Sequence, residues 1–533
     1  MKKRIAGGLV YDGTGAPPRR ADLLLEDGRI AGIGSFDAGA AEETVDASGL
    51  AVTPAFIDSH RHCDFAAVFD PGFGRLELAQ GIGTVLGGNC GMSPFPSSDA
   101  SRAQMYDFIE PCLGRAPAGF APTGFAGYRA ALEKTAPAVN VGSLVGTGAV
   151  KVAAKGFAKT PYTQREMERA QGFLREALEE GAFGISSGIM YTPECYSTRE
   201  EFVRLLSPAA RFGRVWTCHI RGEGDSLVPS VEEVIGIARR AQLPLNISHF
   251  KSVGCGNWHD AVFRAVDRIE AARARGQDVT VDYYPYTGGS TTLLTLVPLS
   301  CAGDGTEALL RALGKPEGVE KLRRELARPQ PGWDNMVRMI GWERIVISSV
   351  SLPENKRYQG RNIKEICEER GCDPAALTAE LLVSERGKVG VILMSMAQED
   401  VDTVAKLPYS AVISDSLYGA PDFPHPRLYG SFAKIIRDAV RERKLFPLET
   451  AVHKMTGMTA ARFGIPARGV LREGAAADFN LFDPAAFGDR ATFGEPKQPA
   501  SGMEAVLLGG ETVWRRGRRT GRLGARVLLC GRR

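Results

Sequence analysis

The sequence predicts an α/β chain: a (β/α)8 barrel of the TIM type joined to a small β-rich domain made from both chain ends. Three observations carry this expectation. Short β-branched or apolar runs alternate with helical stretches over about 400 residues, the pattern of a parallel α/β domain. Strand-and-turn texture without helices occupies the two ends. At 533 residues the chain also exceeds the length at which one hydrophobic core stops growing, so a large domain with a satellite is favoured over one compact unit.

The elements follow in chain order. The first fifty residues, "RIAGGLVYDGTG", "ADLLLEDGRIAGIG" and "ETVDASGLAVTP", read as short strands, with the Asp-Gly pairs of "YDGTG" and "EDGR" as tight turns. The barrel period then runs through "AFIDSH", "GTVLGG", "VNVGSLVG", "AFGISSG", "VWTCHI", "PLNISHF", "DVTVDYYPY" and "AVISDS", eight strands in all, with helices such as "TQREMERAQGFLREALEEG" and "SVEEVIGIARRAQ" between them. Residues 286–345 break the period and read as an insertion after the seventh strand; "VGVILMSM" near 390 stays outside the eight. "GVLREGAAADFNLFDP", "GMEAVLLGGETVWRRG" and "ARVLLCG" return to the strand texture. The expected domains are therefore 1–53 with 463–533 as a composite β-sandwich, and 54–462 as the barrel.

Composition narrows the function. The 66 basic and 62 acidic residues leave a net charge of +4 with no long run of either sign in the body of the chain, which argues against nucleic-acid or membrane-surface partners. The one basic stretch, "WRRGRRTGRLGARVLLCGRR", reads as a solvated tail. The apolar piece near the start is too short for a signal peptide, and no segment approaches the roughly 18 apolar residues of a membrane span. Ten cysteines at irregular spacing, without a CxxC pair, read as reduced thiols in a cytoplasmic protein.

The chemistry-bearing residues cluster at strand ends. His60 and His62 share a strand face and can point into one cavity from the carboxyl end of the first strand, where barrel active sites sit. An HxH alone is weak, since two hydrogen-bonded surface histidines read the same way. However, four of only seven histidines (60, 62, 219 and 249) end three predicted strands, and convergence of such ligands on one barrel mouth is what a zinc site requires. Cys90 lies in a glycine-rich turn after the second strand, as a ligand or as a buried inert thiol. Asp415 closes the eighth strand, where it either caps the next helix or faces the metal and moves protons.

These residues, with "QGIGTVLGGNCGMSP", "GAFGISSGIMYTPECYST", "WTCHIRGEGDSLVPSVEEVIGIA", "ISHFKSVGCGNW", "DYYPYTGGSTTL", "ISSVSLPENKRYQG", "HPRLYGSF" and "RFGIPARGVLREGAAADFNLFDP", resemble the N-acyl-D-amino-acid deacylases (D-aminoacylases) of the amidohydrolase superfamily, almost from end to end. The resemblance implies a tight zinc held by Cys90, His219 and His249, and a weaker second position at His60 and His62. Cys90 then takes the bridging place of a carboxylated lysine, which "AFGISSG" lacks. Asp415 matches the catalytic aspartate, and Lys251, Tyr284, Arg427 and Tyr191 match substrate-binding positions. Three departures from the family pattern stand out: Arg61 between the histidines where the family has Thr, Thr147 where it has His, and Ser416 where it has Gly. Arg61 is expected to point away from the cavity with little effect, and Thr147 to alter substrate scope.

The expected reaction is hydrolysis of an N-acyl-D-amino acid by a monomer or small homo-oligomer. "GGSTTLLTLVPLSC" offers no cation for a side-chain pocket, favouring neutral or hydrophobic D-amino acids. The alternatives are an N-acyl-D-glutamate or D-aspartate deacylase, a cyclic amidase resembling dihydropyrimidinase or dihydroorotase, and, last, a non-catalytic binding protein.

Overall fold

In the computed structural model, which describes residues 2–298, 300–301, 306–330, 332–419 and 422–531, each of the eight runs forms a strand. They are Phe56–Asp58, Ile82–Gly87, Asn140–Ser143, Gly184–Gly188, Val215–His219, Leu245–Ile247, Val279–Tyr283 and Ser410–Val412. Neighbours pair in parallel around the ring, the third strand breaking at Leu144 and resuming at Val145–Gly146. The first and eighth strands meet just beyond their own ends, where Ser416 and Leu417 pair with Arg61 and His62. All strand residues except Thr280 are buried, as expected when helices cover the outside of a parallel barrel.

The helices obey local rules. In Gln164–Glu179, Thr163 accepts from the Glu166 N–H at 3.3 Å and its own N–H donates to Glu166 Oε2 at 2.7 Å, a reciprocal cap that starts the helix where its sequence period begins. Met167, Ala170, Leu174, Ala177 and Leu178 form its buried stripe.

Both ends of the chain contribute to one nine-stranded sheet. Phe479–Phe482 lies antiparallel to Ala51–Pro54, joining the N-terminal strands to Met503–Leu508 and Glu511–Arg515. Ala51–Pro54 leads directly into the first barrel strand, so sheet and barrel share a continuous chain. Asp27 and Gly28 both take positive φ (49° and 74°), the conformation of a two-residue hairpin. "YDGTG" does not make one: the chain loops from Val10 to Arg19, and Asp12 Oδ1 instead accepts from the Thr14 N–H at 2.8 Å.

Two expectations need correction. The insertion does not end at 345, because Gly289–Thr292 pairs with Gly390–Leu393, which also pairs with Ile345–Ser349. The apolar run left outside the barrel is thus the middle strand of the insertion's own sheet, over a separate core that includes Leu293, Ile347, Leu377 and Leu381. Residues 299, 302–305 and 331 of that insertion lie outside the described ones. The C-terminal stretch is solvated only in part. Arg515–Leu523 is exposed, but the chain then crosses the amino end of the barrel, with Leu528 N–H on Val141 O (2.8 Å) and Cys530 N–H on Gly181 O (2.9 Å). Leu528 and Cys530 pack with Ile57, Leu86, Leu144, Phe183 and Val215, and Arg214 donates to the Gly531 carbonyl at 2.7 Å. Residues 532 and 533 of that stretch are outside the described set.

Candidate metal centre and substrate cavity

The side chains that meet here lie at or just past the carboxyl ends of the barrel strands. His60 and His62 follow the first strand, both buried, with ring centroids 5.5 Å apart. Cys90 follows the second strand at φ 52°, and Gly91 next to it must be glycine because a Cβ there would run into the Glu194 carboxylate. The Cys90 Sγ lies 3.2 Å from His60 Nε2, 3.6 Å from His249 Nε2 and 3.9 Å from His219 Nδ1. The described residues thus contain two overlapping donor sets, His60–His62–Cys90 and Cys90–His219–His249, each with donor atoms within 4.8 Å of one another and Cys90 common to both.

The electrostatics suit a cation. Burial holds His60, His219 and His249 well below their ordinary value, so their rings are neutral and keep a lone pair to donate. Burial also pushes the Cys90 thiol well up, so a thiolate there needs a positive ion beside it. The Nδ1 atoms of His60 and His62 are buried and have no hydrogen-bond partner among the described residues. A buried thiol and four imidazoles with little else to bond is a set that fits a borderline-soft divalent metal.

Two acids behind these ligands escaped the sequence reading. Glu223 Oε1 lies 3.0 Å from His249 Nδ1, and the Lys251 Nζ lies 2.9 Å from the same nitrogen, so an acid and a cation together hold the ring from behind while Nε2 faces Cys90. Asp282 accepts from the His249 N–H and from Asn246 Nδ2, each at 2.5 Å, and stands 3.8 Å from His60 Nδ1. Burial pushes Asp282 up to about 7 despite those hydrogen bonds. The only sequence signal for either was position: "GEGD" and "DYY" directly follow or end barrel strands.

Asp415 follows the eighth strand at φ 50°, its N–H bonded to His60 O at 2.9 Å. Its Oδ1 is 3.4 Å from both His60 Nε2 and His62 Nε2, and its Oδ2 is 2.8 Å from Arg427 Nη1. Burial raises this carboxyl, but the Arg427 guanidinium and the adjacent histidines outweigh it and hold it well below the usual carboxylate range. With Cys90 and His249 (φ 36°), Asp415 is one of three non-glycine site residues in left-handed backbone, a cost of order 1–3 kcal/mol each that surrounding contacts must offset.

Lys251, Tyr284 and Arg427 meet on one wall. Arg427 Cζ sits 4.8 Å and Lys251 Nζ 5.8 Å from the Tyr284 ring centroid, and the buried Tyr284 hydroxyl has no hydrogen-bond partner among the described residues. Lys251 also contacts Glu223 Oε1 at 2.6 Å, which keeps its ammonium charged against burial. Tyr191 covers the other side, its ring 4.7 Å from that of His219. These groups open onto a cavity that reaches solvent and is otherwise lined mainly by Met92, Cys112, Met190, Val253, Met336, Leu393 and Leu417.

The three departures have defined places. Arg61 points away from the cavity, as expected, but into a fully buried cluster: Glu77 Oε1 at 2.6 Å, Asp58 Oδ2 and Ser414 Oγ at 3.1 Å, and Tyr418 Oη at 2.9 Å. The expectation of little effect therefore underrates it, since both carboxylates are buried and would lose their counter-charge if the guanidinium goes. Thr147 Oγ1 bonds Ser187 Oγ at 2.6 Å and Glu194, whose Oε2 also accepts from the Gly188 N–H at 3.0 Å, anchoring the turn that carries Met190 and Tyr191. Ser416 Oγ donates to the Arg427 carbonyl at 3.2 Å.

Comparison with known proteins places this geometry. The amidohydrolase family model matches residues 43–307 and 400–514, leaving out most of the insertion. The chain is 34% identical to the D-aminoacylase of Alcaligenes xylosoxydans xylosoxydans over 98% of its length and 96% of that protein. It is 35% identical to the N-acyl-D-aspartate deacylase of the same organism, over 97% and 92%. The solved N-acyl-D-glutamate deacylase of Bordetella bronchiseptica, complexed with zinc and a phosphonate that mimics the tetrahedral intermediate, superposes with a TM-score of 0.81 at 34% identity, covering 99% of both chains. Matched on both flanks of its insertion and aligned with such relatives from end to end, the chain belongs to the amidohydrolase family.

Proposed function

We propose that this chain is a zinc-dependent deacylase that hydrolyses N-acyl-D-amino acids bearing neutral, apolar side chains to a carboxylate and a free D-amino acid. One observation carries the reading: a Cys–His donor cluster, a carboxylate touching two of its imidazoles, and a paired-cation wall with an unpartnered tyrosine hydroxyl all open into a single cavity. Cys90, His219 and His249 would hold the tight ion, and His60 and His62 a weaker one, with Cys90 common to both. When bound, zinc acidifies a water and polarises the acyl carbonyl.

The residues of the chain do the rest. Asp415 Oδ1 accepts the proton of the attacking water and returns it to the departing amide nitrogen. Lys251, Tyr284 and Arg427 hold the α-carboxylate, Arg427 by a planar fork suited to it. Fixing that carboxylate on one wall and the acyl carbonyl at the donor cluster leaves one direction for the side chain, which selects one configuration at Cα.

That direction meets thioethers, aliphatic groups and the hydroxyls of Ser290, Thr291 and Ser395. Among the described lining residues the cations are Lys251 and Arg427, both assigned to the α-carboxylate, so a glutamate or aspartate side chain would lose its hydration without a counter-charge. The relatives include deacylases of both kinds, and a chiral assay on zinc-loaded protein separates them. N-acetyl-D-methionine and N-acetyl-D-leucine are expected to be turned over in preference to N-acetyl-D-glutamate, N-acetyl-D-aspartate and all L-isomers. Preference for an acidic side chain would overturn the specificity, and an L-preference or no turnover would overturn the function.

A second expected result concerns the metal. Cys90→Ala should lower zinc affinity by more than the 10–100-fold that loss of a ligand's hydrogen-bond partner typically costs, read by metal analysis of the purified protein against chelator. Full zinc content in that variant would remove Cys90 from the site.

The irregular spacing of the ten cysteines, without a CxxC pair, supports a reducing, cytoplasmic setting. Among the described residues no helix is long and apolar enough to cross a membrane.

A further inference from the structure

His425 plays no part in the chemistry above, yet both of its ring nitrogens are committed. Its Nδ1 accepts from the Arg427 backbone N–H at 3.0 Å, and its Nε2 lies 2.9 Å from the Gly288 carbonyl. A backbone N–H can only donate and a carbonyl can only accept, so the ring must be the neutral Nε2–H tautomer. Tyr286 and Phe493 enclose it edge to face, with centroids at 5.3 Å and 5.0 Å.

The two bonds join two elements that line the substrate cavity. Arg427 opens the helix Arg427–Lys434, whereas Gly288 precedes the strand Gly289–Thr292 with which the insertion begins. Gly289, Ser290 and Thr291 line the cavity facing Arg427, whose Nη2 is 3.4 Å from the Ser290 carbonyl. Neither element pairs with the other as a strand; two long contacts join them, Arg427 Nη2 to Ser290 O and Tyr286 Oη to Pro426 O, each at 3.4 Å, and the imidazole with its bonds of 3.0 and 2.9 Å is the shorter tie.

We propose that His425 is a positioning residue that fixes the carboxylate-binding Arg427 against the Gly289–Thr291 wall, and thereby sets substrate affinity and the preference for one configuration at Cα without entering the chemistry. This rests on Arg427 holding the α-carboxylate. A methylated α-carboxylate or an L-configured substrate, which cannot use the fixed geometry, should depend on His425 far less.

The test compares His425→Phe, His425→Asn and Arg427→Gln with the parent enzyme, all zinc-loaded, on N-acetyl-D-methionine, its L-isomer and its methyl ester. Loss of the tie should raise KM for the D-acid about three- to tenfold, the worth of one hydrogen bond, with kcat little changed and the D/L ratio reduced. If His425→Phe does not fold, His425→Asn, which keeps one polar contact, carries the measurement. A purely structural role would lower thermal stability and active fraction but leave KM and the D/L ratio unmoved, and that result overturns the proposal. If Arg427→Gln itself leaves KM unchanged, the carboxylate reading fails first; if Arg427→Gln raises KM and the folded His425 variants do not, only the present inference fails. Nitrogen-15 spectra of the unaltered protein give an independent check: one of seven histidines should remain Nε2–H with a bare Nδ1 from about pH 6 to 9, and assignment of His425 to the other tautomer or to an imidazolium overturns the tie.

Discussion

Asp415→Asn is expected to lower kcat by about 10²–10⁴-fold, the usual contribution of a positioned acid–base group, with zinc content nearly unchanged. The change is isosteric. An asparagine still fits between His60, His62 and Arg427, and the backbone tie from residue 415 to the His60 carbonyl does not involve the side chain. What is lost is an oxygen that can take a proton and give it back. Burial alone would have raised this carboxyl, but Arg427 and the histidines keep it ionised in the resting protein, ready to accept. Single-turnover and steady-state rates on the best D-substrate, with metal analysis of the same sample, check this. A variant within about tenfold of the parent kcat would show that another group moves the proton, and an equal loss of zinc would make Asp415 a ligand first.

Arg61→Thr, which installs the residue the related family usually carries, should destabilise this chain by about 3–5 kcal/mol, the range for breaking a buried ion pair from one side. The reasoning is local. Arg61 is fully buried, contacts Glu77 and Asp58, and shares Tyr418 with Glu77. Removing the guanidinium leaves two carboxylates in a dry interior with one tyrosine and one serine between them. Lysine is a poor substitute because a point charge cannot reach Glu77, Asp58 and Tyr418 at once. Because the cluster spans the seam between the first and eighth strands, where Ser416 and Leu417 pair with Arg61 and His62, the variant should also loosen His60 and His62 relative to Asp415. Scanning calorimetry of parent and variant decides: a thermal midpoint within about a degree of the parent would mean the two acids find other partners.

The parts of the site legible in the sequence are those governed by local rules. Period-two geometry places His60 and His62 on one face, and the end of an apolar strand marks His219, His249 and Asp415 as facing the barrel mouth. Cys90 was legible as a candidate ligand in a glycine-rich turn, with a bridging place implied by the resemblance, and its membership of both donor sets became visible once strands one, two, five and six were side by side. What stayed hidden depends on pairing between distant segments. Glu223 reaches His249 across a helix and a strand, and nothing about an acid in "GEGD" distinguishes it from a solvated loop residue. The insertion was cut short at 345 because its closing strand, Gly390–Leu393, pairs with a segment about a hundred residues earlier, and an antiparallel strand buried on both faces has no alternation to announce it. The tail was misread for a related reason: five arginines in its first half set its average character, while the few apolar residues beyond Gly524 decide where it goes.

The pairing of Ala51–Pro54 with Phe479–Phe482 has a consequence for how the molecule is made. The ribosome delivers the first of these strands more than 400 residues before the second, so at about 5–20 residues per second the edge of the N-terminal sheet stands without its partner for some tens of seconds. That edge is short and apolar, and it feeds straight into the first barrel strand. During synthesis it is therefore an edge open to pairing with other chains, and the rate at which the intervening barrel is translated sets how long it stays so.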